Sequence, residues 1–273
     1  LNRIEKTFNQ LNKNNKCALI PFITAGDPDI STTEKIIKRF IDEGADIIEI
    51  GHPFSDPLAD GTVIQESSQR ALLNNINTSD IFEMVKRIRQ YNNETPLVLM
   101  GYFNPIYQYG LKKYSQDAKE AGIDGTIIPD LPMEEAHEWI SEAKKNNISN
   151  ILLIAPTTPI ERAKKIVMQS NGFIYYVSIA GITGARTTLP PELEQGLKNI
   201  KSITNKPVCV GFGISKPEQV ESLSKVSDGI IVGSAIIRIL EKNLVFEDNK
   251  YTPNENLIEE IGNFIKSLKD AIK

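Results

Sequence analysis

The sequence predicts an α/β protein, a (βα)8 TIM-type barrel, on three observations. Eight short runs rich in Ile, Val and Leu recur along the chain, separated by amphipathic stretches of helical period. The runs are near-continuously apolar rather than alternating, as strands are when helices cover a parallel sheet. The 273 residues hold eight such units with no linker or low-complexity tract. That length favours one closed barrel over residues 1–273, a single catalytic domain, rather than an open doubly wound sheet.

An extra helix is expected over Asn2–Lys13, ahead of strand one at Ala18–Thr24 and its helix at Thr32–Glu43. Strand two, Ile47–Ile50, is followed by a long loop and then an additional helix at Ser79–Tyr91. Strand three, Pro96–Met100, leads through an aromatic segment to a helix at Lys112–Ala121. Strands four to six, Gly125–Ile128, Asn150–Ile154 and Phe173–Val177, precede helices at Glu134–Asn146, Ile160–Ser170 and Glu192–Ile203. Strands seven and eight, Pro207–Val210 and Gly229–Val232, flank a helix at Pro217–Lys225. A helix opening at Ser234 and a further C-terminal one at Asn256–Ile272 end the chain.

Composition narrows the function class. The net charge is −4 and no Lys/Arg cluster occurs, so neither nucleic acid nor an anionic membrane surface is an expected partner. No apolar run reaches the roughly 18 residues of a membrane span, and the polar N-terminus lacks a signal-peptide core. Cys17 and Cys209, the only cysteines, lie in or beside apolar runs and read as buried and reduced. A cytoplasmic enzyme is expected.

In such barrels the chemistry collects at the C-terminal ends of the strands. Glu49 is the anomaly in strand two, a carboxylate that shares a face with Ile47, opposite Ile48 and Ile50. There it is either a proton shuttle with a raised pKa or a carboxylate satisfied by buried hydrogen bonds. The loop that follows, His52–Gly61, is longer than a βα connection requires and brings Asp56 and Asp60. Asp56 reads as a turn-capping residue. Asp60 reads as a second carboxylate that stabilises positive charge while Glu49 moves protons. Strands seven and eight end in Gly211-Phe212-Gly213 and Gly233-Ser234, and Ser234 opens a helix. Glycines let backbone N–H groups approach an anion at a helix N-terminus, so a phosphorylated substrate is expected. Gly181, Thr183 and Gly184 in the loop after strand six read as a lid that reaches the phosphate. No lysine lies in a strand or at its C-terminal end, and the only histidines are His52 and His137. Schiff-base and zinc-dependent aldolases are thereby disfavoured, leaving cofactor-free acid/base chemistry on a phosphate ester.

The segments Pro21–Pro28, Glu49–Gly61, Gly181–Gly184 and Gly211–Ile214 resemble those of tryptophan synthase alpha chains, in register along essentially the whole chain. The resemblance implies a lyase that cleaves indole-3-glycerol phosphate in a retro-aldol sense. It implies Glu49 as the general acid/base and Asp60 as partner of the indole N–H. Tyr175 is similar to a pocket tyrosine beside Glu49, and Phe22, Met100, Ile127, Leu153, Phe212 and Ile231 to an apolar slot for the indole ring. Gly184, Gly213, Gly233 and Ser234 match phosphate-binding positions. The chain itself is expected to need no cofactor. The implied partner is a PLP-dependent beta chain, in an alpha2-beta2 assembly with an indole tunnel. The segment Gly101–Gly110, rich in aromatics, suits either that interface or packing over the barrel mouth. Two departures stand out. His52 replaces a small apolar residue, with no catalytic role expected of it, and Thr62 replaces a proline that would pre-organise the next helix. The competing readings are another phosphate-binding barrel enzyme, such as an indole-glycerol-phosphate synthase or an isomerase, and a catalytically silent allosteric subunit. The lack of a strand-end lysine speaks against the synthase, and the Glu49/Asp60 pair against the silent subunit.

Overall fold

Continuous runs of Ile, Val and Leu have two apolar faces to bury. In a computed structural model describing residues 2–177, 191–211 and 213–272 they do so as a parallel sheet closed on itself. The strands are β1 (Ala18–Thr24), β2 (Ile48–Gly51), β3 (Leu97–Met100), β4 (Gly125–Ile127), β5 (Ser149–Ile151), β6 (Leu153–Ile154), β7 (Ile174–Val177), β8 (Val208–Gly211) and β9 (Gly229–Val232). Their ladder order is β5-β4-β3-β2-β1-β9-β8-β7-β6, so the two ends of the ladder are separated in sequence only by Leu152.

That break corrects the single fifth strand expected at Asn150–Ile154. Its first part pairs with β4 (Ile127 opposite Ile151) and its second with β7 (Leu153 opposite Tyr175). Between them the Leu152 N–H donates to the Ser170 hydroxyl oxygen at 3.1 Å instead of joining a ladder.

The helices begin with α1 (Arg3–Lys13), α2 (Ile30–Asp42), α3 (Thr62–Leu72), α4 (Thr78–Tyr91), α5 (Phe103–Tyr109) and α6 (Leu111–Ala121). They continue with α7 (His137–Lys145), α8 (Ile160–Gln169), α9 (Pro191–Lys201), α10 (Pro217–Ser224), α11 (Ser234–Lys242) and α12 (Leu257–Asp270). Two helices, α3 and α4, follow β2. Asn77 caps the second with its side chain, accepting from the Ser79 and Asp80 N–H groups. The aromatic segment after β3 is itself helical, as α5. An antiparallel hairpin, β10 (Leu244–Glu247) and β11 (Lys250–Pro253), was not read from sequence. It turns on Asp248 and Asn249, both at positive φ, the backbone that two-residue hairpin loops require. Among the described residues no helix is long and apolar enough to cross a membrane.

Alternation sorts the core into two layers. Ile20, Ile47, Val98, Ile127, Ile151 and Phe173 fill the barrel interior, while Leu19, Ile48, Ile50, Leu97 and Leu99 face the helices. The interior has to be closed at one end. Helix α1 does this by inserting Ile4, Phe8 and Leu11 among the interior residues, with Phe8 against Phe173 at 5.9 Å between ring centroids. Asn2 fixes the start of α1 through a reciprocal capping box with Glu5.

The same end is stitched by three aspartates that precede strands. Asp46, Asp124 and Asp228 accept the backbone N–H of Leu19, Leu97 and Val208 on the adjacent strands, at 2.7, 2.9 and 2.8 Å. Each is also paired with a cation: Asp46 with Lys269, Asp124 with Arg3 and Arg89, Asp228 with Lys201. Asp124 and Arg89 are the most buried of these groups, with side chains 3% and 9% exposed. Removing one member of a buried pair leaves an uncompensated charge, at a cost of about 3–5 kcal/mol. Asp124→Ala is therefore expected to lower unfolding stability in urea by that amount. Asp228→Ala, whose lysine partner is 40% exposed, should lose roughly 1 kcal/mol. Equal losses for the two variants would show that burial of the pair is not what matters.

Candidate active site

The closed end leaves the opposite mouth as the place for a ligand. A cavity of about 670 Å³ opens there, at the C-terminal ends of the strands. Its wall includes Phe22, Glu49, Asp60, Met100, Leu153, Tyr175, Ile231, Gly213, Gly233 and Ser234, all expected from sequence. Ile127 does not reach it. That side chain is fully buried in the barrel interior beneath the cavity, and Ile128, one residue on, lines the wall instead. Thr183, Gly184 and Phe212 lie outside the described residues.

Glu49 stands in register with Phe22 of β1 and Val98 of β3 and is 1% exposed. Among its neighbours Oε2 finds no hydrogen-bond partner. Burial pushes its pKa up from the ordinary 4.5 to about 8, and the nearby Asp60 charge adds to the shift. The unpartnered oxygen and the raised pKa favour the proton-shuttle reading over the satisfied carboxylate. Tyr175 lies close enough for Glu49 and Asp60 to raise its own pKa further, after burial.

Asp60 sits at the far end of the loop Pro53–Gly61. The loop is built from turns: the Leu58 N–H donates to the Asp56 carbonyl and the Asp60 N–H to the Pro57 carbonyl. The Asp56 carboxylate accepts from Ser55 Oγ at 2.6 Å and stays outside the cavity wall, while the turn bond runs to its backbone carbonyl rather than to its side chain. Gly61 caps α3, and Gln65 donates to the Asp60 carbonyl at 2.8 Å. Burial raises the Asp60 pKa and a hydrogen bond from Tyr102 pulls it back down. Tyr102 was not singled out in sequence, although the segment holding it was. The Ala59 N–H donates to its hydroxyl at 3.0 Å, and Phe54 stacks on its ring.

His52 faces away from the acid pair. Its Nε2 lies 2.9 Å from Thr78 Oγ1 at the start of α4, and its Nδ1 is 3.0 Å from the Pro53 carbonyl. Burial lowers its pKa. Thr62 occupies the first position of α3, as expected.

The glycines form the other half of the wall. Gly213 has φ +30°, a left-handed conformation, and a Cβ there would meet nothing within 4 Å among the described residues. A Cβ on Gly211 would lie 2.5 Å from the Tyr175 hydroxyl, and one on Gly233 would be 3.3 Å from Phe22. Gly233 caps α11 without a side chain. The orphan N–H groups of the first turn are therefore left to an outside acceptor, with Ser234 Oγ beside them.

Comparison with known proteins agrees with this geometry. A sequence profile of the tryptophan synthase alpha chain matches residues 8–272. The chain is 46% identical over 272 residues to the tryptophan synthase alpha chain of Caldanaerobacter subterraneus subsp. tengcongensis, covering 100% of both. It is 42% identical to that of Nitrosomonas europaea, covering 100% of this chain and 96% of the relative. A crystal structure of tryptophan synthase subunit alpha from Legionella pneumophila superposes with a TM-score of 0.90 at 40% identity, covering 99% of this chain and 98% of the other. Similarity of that extent, in sequence and in the path of the backbone, makes this chain a member of the tryptophan synthase alpha chain family.

Proposed function

We propose that Glu49 and Asp60 divide the family's reaction between proton transfer and charge stabilisation. Tryptophan synthase alpha chains are lyases that cleave indole-3-glycerol phosphate during tryptophan biosynthesis, and this chain is one of them. They work without a cofactor of their own, and pair with a beta chain that carries PLP. The observation that carries the division of labour is the buried Glu49 carboxyl, with an unpartnered oxygen in the cavity wall.

With the phosphate on Gly213, Gly233 and Ser234, the indole ring lies among Phe22, Met100, Leu153, Tyr175 and Ile231. Neutral Glu49 gives its proton to indole C3. The ring becomes an indolenine with positive charge at nitrogen, which faces the Asp60 carboxylate. Opposite unit charges about 4 Å apart attract by about 4 kcal/mol at an effective dielectric of about 20, enough to matter to the barrier. Glu49, now a carboxylate, takes the proton of the hydroxyl on the carbon attached to C3. A carbonyl forms there, the C–C bond breaks and its electron pair returns to the ring. Indole and glyceraldehyde 3-phosphate leave, and Glu49 is protonated again. The exposed Leu58, on the loop after β2, and Tyr107, on α5, support this face as the one the beta chain covers. The proposed location is the cytoplasm, supported by two buried free cysteines.

Glu49→Gln keeps the shape but cannot exchange a proton, so kcat should fall by at least the roughly 10²–10⁴-fold typical of acid/base removal. Asp60→Asn should fall less and keep residual turnover. Binding of an indole-phosphate analogue should survive in both variants. A folded Glu49→Gln variant with near-normal turnover ends this reading.

The pH dependence has a defined sign. The free enzyme is competent with Glu49 protonated and Asp60 ionised. Its kcat/KM should decline above about pH 8, where Glu49 loses its proton, and on the acid side as Asp60 gains one. Stability carries the same signature. The unfolded chain ionises Glu49 near 4.5 while the folded chain holds the proton to about 8. Folding stability should therefore fall between these pH values, by up to about 1.4 kcal/mol per pH unit from this group. Glu49→Gln should remove that slope in denaturant titrations from pH 5 to 8. An unchanged slope contradicts the buried neutral acid.

At the phosphate end, Gly233→Asp places a carboxylate against the anion and should raise KM severely with a smaller effect on kcat. Ser234→Ala removes one hydrogen bond to a charged group and should cost about 1–2 kcal/mol in kcat/KM. An unchanged KM in Gly233→Asp displaces the phosphate from this position.

A further inference from the structure

The loop Pro53–Gly61 carries Asp60 but has no regular structure to hold it. Within the loop, apart from local turns, the ties are few, and Leu58 at its crest is 92% exposed. Tyr102 supplies what is missing. It follows β3 directly and is 4% exposed. Its backbone is anchored on both sides: the His52 N–H donates to the Met100 carbonyl at 2.7 Å and the Gly101 N–H to the Ile127 carbonyl at 3.0 Å. One residue further on, the Phe103 N–H donates to Asp130 at 2.9 Å. From this fixed base the side chain meets the loop at two points. Its ring stacks on Phe54, with centroids 5.2 Å apart and planes 26° apart, and its hydroxyl oxygen accepts the Ala59 N–H at 3.0 Å.

We propose that Tyr102 is a positioning residue for the lyase reaction: it docks the loop by its ring and by the Ala59 amide, and points its hydroxyl proton at the Asp60 carboxylate. A phenol has one proton to give. With a lone pair of the oxygen already occupied by the Ala59 N–H, the O–H is polarised and is free to be donated to Asp60. The acceptor and donor functions thus fall on adjacent residues, 59 and 60. One hydroxyl sets both where the carboxylate stands and how readily it ionises. This inference rests on the assignment of Asp60 as the charge that faces the indole nitrogen.

The other groups facing Asp60 work in the opposite direction or not at all. Glu49 of β2 is neutral at neutral pH and repels the Asp60 charge once ionised. Tyr175 of β7 is a phenol held neutral by burial and by both carboxylates. Asp130, after β4, acts on Tyr102 rather than on Asp60, and disfavours its ionisation. Arg162 of α8 lines the same cavity, but Glu134 takes its guanidinium. Tyr102 is therefore the group that works against the burial of Asp60, which on balance still raises its pKa.

Tyr102→Phe keeps the ring, its burial and its stacking, and removes only the oxygen. The first measurement is the titration of Asp60 itself, by carbon-13 NMR of labelled aspartate in the substrate-free chain, with Asp60→Asn to assign the resonance. The expected result is a midpoint moved to higher pH in Tyr102→Phe. The second is the kcat/KM profile with indole-3-glycerol phosphate. Its acid limb should move the same way, with a loss on the order of tenfold below the shifted midpoint that shrinks toward pH 8. In an Asp60→Asn background, Tyr102→Phe should leave the acid limb where it is. An Asp60 midpoint identical to wild type overturns the proposal, as does a pH-independent loss of the same size with or without Asp60. Because the titration needs no turnover, it stands even if the lyase roles of Glu49 and Asp60 fail.

Discussion

A carboxyl group surrounded by isoleucine, valine and aromatic side chains has little water to solvate its anion, and Glu49 accordingly holds its proton to about pH 8. The rest of the site is arranged around keeping that environment dry on one side and reachable on the other. The floor is closed by α1, whose Ile4, Phe8 and Leu11 are apolar all the way across. The charged groups that tie the strands together at that end, Asp46, Asp124 and Asp228, sit outside the interior, where lysines and arginines can meet them. The mouth, by contrast, ends in glycines and a loop, so a substrate can reach Glu49 without any strand moving.

In the proposed mechanism the two carboxyl groups do different work, and they are held differently. Glu49 is built into β2, with backbone neighbours on both sides in β1 and β3, as a group that transfers protons over a fixed distance needs to be. Asp60 must carry a full negative charge close to the same cavity without being forced to protonate. It stands on a partly exposed loop, where some solvation persists and a phenol donor counters part of the effect of burial. Placed on a neighbouring strand inside the barrel, it would share the fate of Glu49 and become neutral. Loop and strand thus separate two pKa values that burial alone would drive together.

The fold was legible because its signals are local: strand runs, amphipathic periods and capping residues lie within a few residues of what they specify. Glu49 was legible as a single acid in an apolar strand, and Gly213 and Gly233 as glycines at consecutive strand ends. Where the sequence reading fell short, the cause lies far away in the chain. The break at Leu152 is made by Ser170, 18 residues on, and no property of Asn150–Ile154 announces it. Tyr102 matters only because a loop more than forty residues earlier folds back onto it. Ile127 was assigned to the pocket from resemblance, whereas its depth depends on how far the interior layers rise. The hairpin at Leu244–Pro253 did carry a local signal, Asp248-Asn249 between β-forming residues, but it follows a helix directly and covers no strand of the barrel.

The join at Leu152 has a mechanical meaning. Elsewhere around the described ring, adjacent strands are laced by backbone hydrogen bonds, and widening the barrel there means breaking them. Between β5 and β6 the ring is closed by the chain itself: the same run of backbone pairs with β4 on one side and, through the Leu152 carbonyl and Leu153, with β7 on the other. A ring closed by a covalent seam cannot open there without moving the peptide itself. Leu153 and Tyr175, which line the ring slot, stand beside that seam, so this wall of the slot is tied to the main chain rather than to a side-chain contact.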